Sequence, residues 1–292
     1  MKEECNRHKL SFLCRQFGVS RQSYYQRKDL FYEKESMKIL LLEYALELRN
    51  KMPRIGCFKL YEKSKEYFSE LPFGRDAYFE LLRDSGLMLK QSRRKKTRTT
   101  DSDHPYGYHQ DLLKGSGFKA KSPCQLWVSD ITYIALNLPG RHFCYLSLIT
   151  DAYSRKIVGW ELSASLKYKH TETALRKAIK AEKAAGFDLE GMIHHSDRGV
   201  QYAYLDYVNL LKENKCLISM TQTGDPLDNA MAERVNGILK TEWLNHKQFK
   251  SKSALKTALC DIIQLYNRER PHMGIGMKVP CSLHKPEIKK AG

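Results

Sequence analysis

No Cys-x-x-Cys pair occurs in this chain of 292 residues, although it holds eight cysteines. Cys5, Cys14, Cys57, Cys124, Cys144, Cys216, Cys260 and Cys281 are scattered along its length. Such scatter excludes a zinc finger and the clustered disulfide framework of a small secreted domain. The thiols read as reduced and mostly buried, in an intracellular protein. No run of about 18 apolar residues is present, so no membrane-spanning helix is expected. The longest candidate, around Ile39 to Leu42, is cut short by Glu43. The opening MKEECNRHKL lacks the apolar stretch of a signal peptide, and the expectation is a soluble, cytoplasmic protein. No internal repeat is visible. Acidic residues are in short supply: 33 Asp and Glu stand against 50 Lys and Arg, a formal net charge of +17. That surplus points to a polyanionic partner, nucleic acid foremost. A hydrophobic fraction of 42% excludes a disordered chain, and the length is enough to bury a substantial core.

Residues 1–100 read as helical. LSFLCRQFGVSRQSYYQRK spaces Leu10, Leu13, Cys14 and Phe17 helically, breaks at Gly18-Val19-Ser20, and restarts with Ser20 as N-cap. This is a helix–turn–helix pattern, or a plain helical hairpin with a polar face. Its second helix would present Arg21, Gln22, Tyr25, Gln26 and Arg27, groups suited to phosphates and base edges. A long amphipathic helix is expected from Lys34 to Lys51, closed by Pro53, followed by helices in CFKLYEKSKEYFSEL and GRDAYFELLRDSGLMLK, the latter stopped at Gly86. Lys90, Arg93, Arg94, Lys95, Lys96 and Arg98 then form a stretch without an acid, a solvated linker or a phosphate-tracking arm. The expected division is a helix–turn–helix segment with its long helix (1–50), a second helical DNA-binding segment with a basic arm (51–98), a linker (99–121), a catalytic core (122–275) and a basic tail (276–292).

From residue 124 the pattern turns to strands. LWVSDITYIAL, FCYLSLITDAY and KIVGWELSA read as an antiparallel meander, followed by helix, short strand, helix, short strand and two closing helices. This order predicts an α/β fold of RNase H-like type, a mixed sheet flanked by helices, preceded by an all-helical region. Asp130 lies inside the first strand, where Asp is disfavoured and an unpaired charge costly to bury. It is a satisfied structural Asp or a catalytic one. Asp197 follows the fourth strand, which this fold sets beside the first. Glu233 lies on a helix opened by Asp228-Asn229, with Asn236 and Lys240 on the same face, and residues 198 to 232 separate it from Asp197. The three acids are expected to converge within metal-bridging reach. Such a set suits two Mg²⁺ ions about 3.5–4 Å apart, which activate an oxygen nucleophile and stabilise a leaving oxygen in phosphoryl transfer on nucleic acid. His194 and His195 point to opposite faces of a strand and have no Cys/His partners at zinc spacing, so one is read as lining the site and one as structural. Ser196 and Cys216 have no base partner that would make them nucleophiles.

Five segments, WVSDITYI, YLSLITDAYSRKIVGWELS, HHSDRGVQY, SMTQTGDPLDNAMAERVNGILKTEW and YNRERPH, together resemble the integrase-type DDE transposases of bacterial insertion sequences. The chain is most similar to the second-reading-frame product of the insertion-sequence-three family, whose core is related to retroviral integrases. PRIGCFKLY and SGLMLKQSRRKKTR also resemble that family. The resemblance implies that Asp130, Asp197 and Glu233 are the catalytic and metal-binding triad for two Mg²⁺ or Mn²⁺ ions, and that Lys240 contacts the element's terminal DNA. Asp228-Asn229-Ala230 match its Asp-Asn-Ala motif, and Arg268 and Arg270 match its closing element, here Tyr266 to His272. Gln222 and Leu227 depart from its usual basic and tyrosine residues. The full set of DNA-binding candidates is Lys240, Asn229, Arg234, Arg268, Arg270, Arg21, Gln22, Arg27, Arg93, Arg94, Lys95 and Lys96. The implied reaction nicks DNA to expose 3′-hydroxyls, which attack target strands directly. Implied partners are terminal-repeat and target DNA, further copies of the chain in a synaptic complex, and an upstream-frame helix–turn–helix protein as fusion or partner, since no heptad zipper is visible here. The implied location is the bacterial cytoplasm, at the nucleoid. An RNase H-like nuclease without strand transfer, and a DNA-binding derivative that has lost catalysis, stay open as alternatives.

Overall fold

The structure, a computed structural model, describes residues 9–90, 109–140, 142–222 and 229–286. Arg93, Arg94, Lys95, Lys96 and Asp228 lie outside the described residues. The chain divides into two compact units, Met1–Lys51 with Gly56–Lys90, and Met52–Ile55 with Gln91–Gly292. Among the described residues, no helix is long and apolar enough to cross a membrane.

The first unit is helical. Helix α1 (Leu10–Gln16) ends in a turn in which Gly18 takes a φ of +64°, a conformation that favours glycine. Ser20 then caps the next helix, its Oγ accepting from the Ser23 N–H at 3.0 Å. That helix does not stop where a recognition helix was expected to. Helix α2 runs Arg21–Lys51 without a break, absorbing the helix expected to start at Lys34. The reason is in the sequence: no Gly or Pro falls between residues 21 and 51, so nothing interrupts propagation until Pro53. Its burial is confined to the C-terminal part, at Leu41, Ala45 and Leu48. Helices α3 (Cys57–Tyr67) and α4 (Arg75–Asp84) bury Leu60, Tyr78 and Leu82, and Ser64 Oγ lies 3.2 Å from Tyr78 Oη. Gly86, at a φ of +68°, closes α4 as the sequence predicts, with its N–H on Arg83 O and the Leu87 N–H on Leu82 O.

The second unit is built on a five-stranded sheet. Strands β1 (Leu126–Leu136), β2 (His142–Asp151) and β3 (Ile157–Ser163) form the expected antiparallel meander. Helix α5 (Tyr168–Ala184) leads to β4 (Ile193–Ser196), and the short α6 (Val200–Ala203) and α7 (Leu205–Glu213) lead to β5 (Leu217–Met220). The strand order is β3-β2-β1-β4-β5, with β4 parallel to β1 and β5 parallel to β4. Helices α8 (Ala230–Glu242), α9 (Lys252–Arg268) and α10 (Pro280–Leu283) complete the unit. Successive side chains of β1 alternate between the two faces. Trp127 packs with Ala174, Ala178, Tyr207 and Leu211, whereas Leu126 and Val128 pack with Ala232. Gly159 permits the close approach of α5 to β3: a Cβ there would lie 2.6 Å from Ala174 O and 2.7 Å from Ala178 Cβ.

Two stretches expected to be peripheral are part of this body. Within the expected linker, Leu112, Leu113 and Ala120 pack against the Leu126–Val128 cluster. Within the expected basic tail, α10 carries the chain to His284, which is buried. Their apolar side chains and the buried carboxylates that receive His284 outweigh the polar local composition on which a linker and a tail were read.

Candidate active site

Register alone brings the first two acids together. Ser129 on β1 is paired with Ser196 on the parallel strand β4. Asp130 and Asp197 each come one residue later, so they stand side by side where the two strands end their pairing, with strands about 4.8 Å apart. Asp197 Oδ1 accepts the Gly199 N–H at 3.0 Å, which fixes the turn out of β4. A Cβ at Gly199 would sit 3.0 Å from that same oxygen. Glu233 lies exposed in the first turn of α8.

Helix α8 is fastened to β1 by two asparagines seven residues apart. Asn229 Nδ2 donates to Ser129 O at 2.9 Å, and Asn236 Nδ2 donates to Asp130 Oδ2 at 2.8 Å. They grip consecutive residues of the strand, with Glu233 between them on the helix. Both are buried, and the Oδ1 of each has no protein hydrogen-bond partner. Asp130 Oδ1 accepts from the Ile131 N–H at 2.8 Å. Burial, then the Asp197 carboxylate and more weakly Glu233, push the Asp130 carboxyl up to about 7, against the pull of these two hydrogen bonds. Like charges are therefore gathered at this end of the sheet. Lys240, two turns beyond Glu233, is half-buried; burial lowers its pKa and the Asp130 carboxylate partly restores it. The donors are hard oxygens of the kind Mg²⁺ and Mn²⁺ take.

The acids are not drawn tightly together. Among the described residues, the group of three candidate ligands whose atoms lie within 4.8 Å of one another is Cys124, Glu182 and His284, not Asp130, Asp197 and Glu233. That group is already satisfied by its neighbours. His284 Nε2 and Lys156 Nζ each lie 2.7 Å from a different oxygen of Glu182. His284 Nδ1 lies 2.8 Å from Ser154 Oγ, and Asp151 accepts from the Ser154 N–H and Oγ and from the Cys124 N–H. With His284 protonated, two carboxylates face two cations, a buried balance that ties the C-terminal segment to β2 and α5. Sequence reasoning missed it because its members span residues 124 to 284 without a local motif.

The remaining candidates fall into two groups. Arg21, Gln22, Arg27, Arg234 and Arg268 are exposed. Asn229 and Arg270 are turned inward. Arg270 is buried, with Nε and Nη2 bonded to the two carboxylate oxygens of Glu242 at 2.7 and 2.6 Å, and its guanidinium lies over the Tyr266 ring. In the same element, Asn267 exchanges two hydrogen bonds with the backbone of Ile157, both at 2.9 Å. Tyr266 to His272 thus clamps α9 to α8 and β3 from within. The two histidines of β4 are likewise committed inside the sheet. His194 Nε2 lies 2.7 Å from Ser129 Oγ and 2.9 Å from Tyr207 Oη, and burial followed by the neighbouring His195 pushes its pKa down to about 3. His195 Nδ1 lies 2.9 Å from Ser219 Oγ on β5. The Asn236 contact to Asp130 could have been sought from its i+3 spacing to Glu233; the Asn229 contact to Ser129 left no comparable trace.

Residues 120–226 and 214–280 each match an integrase core domain. The insertion element IS600 31 kDa protein of Shigella sonnei is 31% identical over 94% of this chain and 97% of its own length. The putative transposase for insertion sequence element IS986/IS6110 of Mycobacterium tuberculosis is 32% identical over 66% of this chain and 68% of its own. Among solved structures, the integrase catalytic core of HTLV-2 in complex with magnesium covers 57% of this chain and 99% of its own, at 15% identity and a TM-score of 0.43. With integrase core domains matched from residue 120 to residue 280 and a relative aligned almost end to end, the chain belongs to the integrase-core transposases of bacterial insertion sequences.

Proposed function

We propose that this transposase nicks DNA at the ends of its element and joins the exposed 3′-hydroxyls to target DNA by direct transesterification, with Asp130, Asp197 and Glu233 as its catalytic acids. The observation that carries this reading is the β1–β4 register, which makes Asp130 and Asp197 neighbours, together with the influence of Asp197 and Glu233 on the Asp130 carboxyl. The three carboxylates would hold divalent metal, Mg²⁺ or Mn²⁺ and two ions in full occupancy, because a cation would offset both the burial of the Asp130 carboxylate and its repulsion by Asp197 and Glu233. When bound, the metal supplies Lewis-acid stabilisation to the attacking and leaving oxygens. Asn236 holds the Asp130 carboxylate in one orientation, and Asn229 keeps α8, and with it Glu233, at a fixed height against β1. Lys240 carries a cation toward the same point, and a DNA phosphate there would offset its burial.

DNA is the partner this chemistry needs, and the net charge of +17 supports it. Arg21, Gln22 and Arg27 on the helical unit, the segment Arg93 to Lys96, and the exposed Arg234 and Arg268 are the contacts we assign to it. Asn229 and Arg270 act instead from inside the fold. The test supplies duplexes with pre-cut element ends and Mg²⁺ or Mn²⁺. Joined products are expected, and Asp130→Asn and Glu233→Gln should abolish them. Shortened strands without joining would make the protein a nuclease, and joining that survives both substitutions would remove the triad from the chemistry.

A further inference from the structure

The outward face of α2 carries a row of large apolar side chains among its polar ones, where a solvated helix is normally polar throughout. Tyr25, Tyr32, Ile39 and Leu46 recur at every seventh residue and are 44%, 56%, 59% and 49% exposed. On a helical wheel they cover an arc of about 60°, roughly opposite the buried Leu41, Ala45 and Leu48. A strict seven-residue row is the period of one helix winding about another, because a 3.6-residue period drifts off a straight contact. Beside the row lies a groove of about 340 Å³, lined by Val19, Tyr24, Arg27, Lys28, Phe31 and Tyr32. The same side of the helix carries Arg21 and Lys28 beside Asp29, Glu35, Glu43 and Glu47, a mixed-charge track that suits a protein surface with both charges better than a phosphate backbone.

We propose that this face is the seam of an antiparallel homodimer, in which two α2 helices meet about a twofold axis between residues 35 and 36. In that register Tyr25 is level with Leu46 of the second copy, Tyr32 with Ile39, and Lys28 with Glu43. The aliphatic half of each helix covers the aromatic half of the other, and Ile39 and Leu46 seat as knobs along the groove. The 31 residues of α2 span about 46 Å, long enough for all four layers. Tyr25 then serves the seam and not a DNA-reading face. The seam rests on α2 alone and does not depend on the triad.

The test is sedimentation velocity of the full-length chain without DNA at micromolar concentration. The wild type is expected to be a dimer, and Tyr32→Glu with Ile39→Glu to weaken association by about 100-fold, or about 2.7 kcal/mol. Both positions are exposed, and unchanged circular dichroism would show that the fold is kept. A wild-type monomer, or a dimer unaffected by the double substitution, overturns the proposal. Lys28→Glu is expected to weaken the dimer and Lys28→Glu with Glu43→Lys to restore it; lack of restoration overturns the register. Ser36→Cys is expected to cross-link between copies and Tyr25→Cys is not; equal cross-linking at Tyr25→Cys means parallel helices and also overturns it. Strand joining is not a readout here, so failure of the seam leaves the catalytic reading intact.

Discussion

Removing the negative charge of Asp130 should make the metal-free protein more stable. The Asp130 carboxyl stands at about 7 in the fold, against 3.8 for an ordinary Asp. The folded state therefore binds this proton more tightly than the unfolded chain does, and stability is lost as pH rises from about 4 to about 7, then levels off. At about 1.4 kcal/mol per pKa unit, the ionised carboxylate costs about 4 kcal/mol at pH 8. Asp130→Asn removes that cost. It can keep the Ile131 N–H bond, and Asn236 can turn its amide so that the unpartnered Oδ1 accepts from the new side chain. Exchanging a charged hydrogen bond for a neutral one costs about 1 kcal/mol. The expected net gain is about 3 kcal/mol at pH 8, falling below about 1 kcal/mol at pH 5. The assay is urea denaturation with a chelator present, followed by tryptophan fluorescence. All three tryptophans (Trp127, Trp160 and Trp243) belong to the sheet-bearing unit, so the signal reports that unit alone. Adding Mg²⁺ is expected to raise the stability of the wild type and not of the variant. A variant no more stable than the wild type at pH 8, or a gain equal at both pH values, would refute the reasoning.

Three further outcomes are expected. Asn236→Ala deletes a hydrogen bond that holds the Asp130 carboxyl down, so the acidic limb of the pH–rate profile for strand joining should move upward; an unshifted limb would show that Asn236 does not act through Asp130. Arg270→Ala removes both charge-assisted hydrogen bonds to the nearly buried Glu242 carboxylate and should cost about 3–5 kcal/mol of stability, whereas Arg268→Ala at an exposed position should stay within about 0.5 kcal/mol. If Arg270→Ala instead kept full stability and lost DNA affinity, Arg270 would be a DNA contact. His284 titrates higher than usual: burial lowers its pKa, but hydrogen bonds to Asp151 and Glu182 and the Glu182 charge outweigh this. Its contribution is complete below about 6.5 and is lost as pH rises through the folded value, so the stability gap between wild type and His284→Gln should narrow from pH 6 to pH 9 in denaturant titrations.

What the sequence determined by itself was whatever rests on local chemistry and order. The alternation in LWVSDITYIAL, the turn residues between the meander strands and the apolar spacing of the later helices sufficed for the β-β-β-α-β-α-β order. The position of Asp130 inside a strand sufficed to mark it as unusual, because an unpaired carboxylate is costly there. The cap at Ser20 and the stop at Gly86 were legible for the same reason: one residue's conformational preference decides each. Tertiary structure alone decided how side chains distant in sequence meet. The parallel pairing of Ser129 with Ser196 aligned Asp130 with Asp197, and helix docking turned Asn229 and Arg270 inward while leaving Arg234 and Arg268 in solvent. It drew Asp151, Ser154, Glu182 and His284 into one buried balance, and it left a row of four apolar side chains, spaced seven residues apart on α2, facing out. Local composition sets what a residue can do, whereas burial and partner, fixed only when elements pack, set which of those things it does.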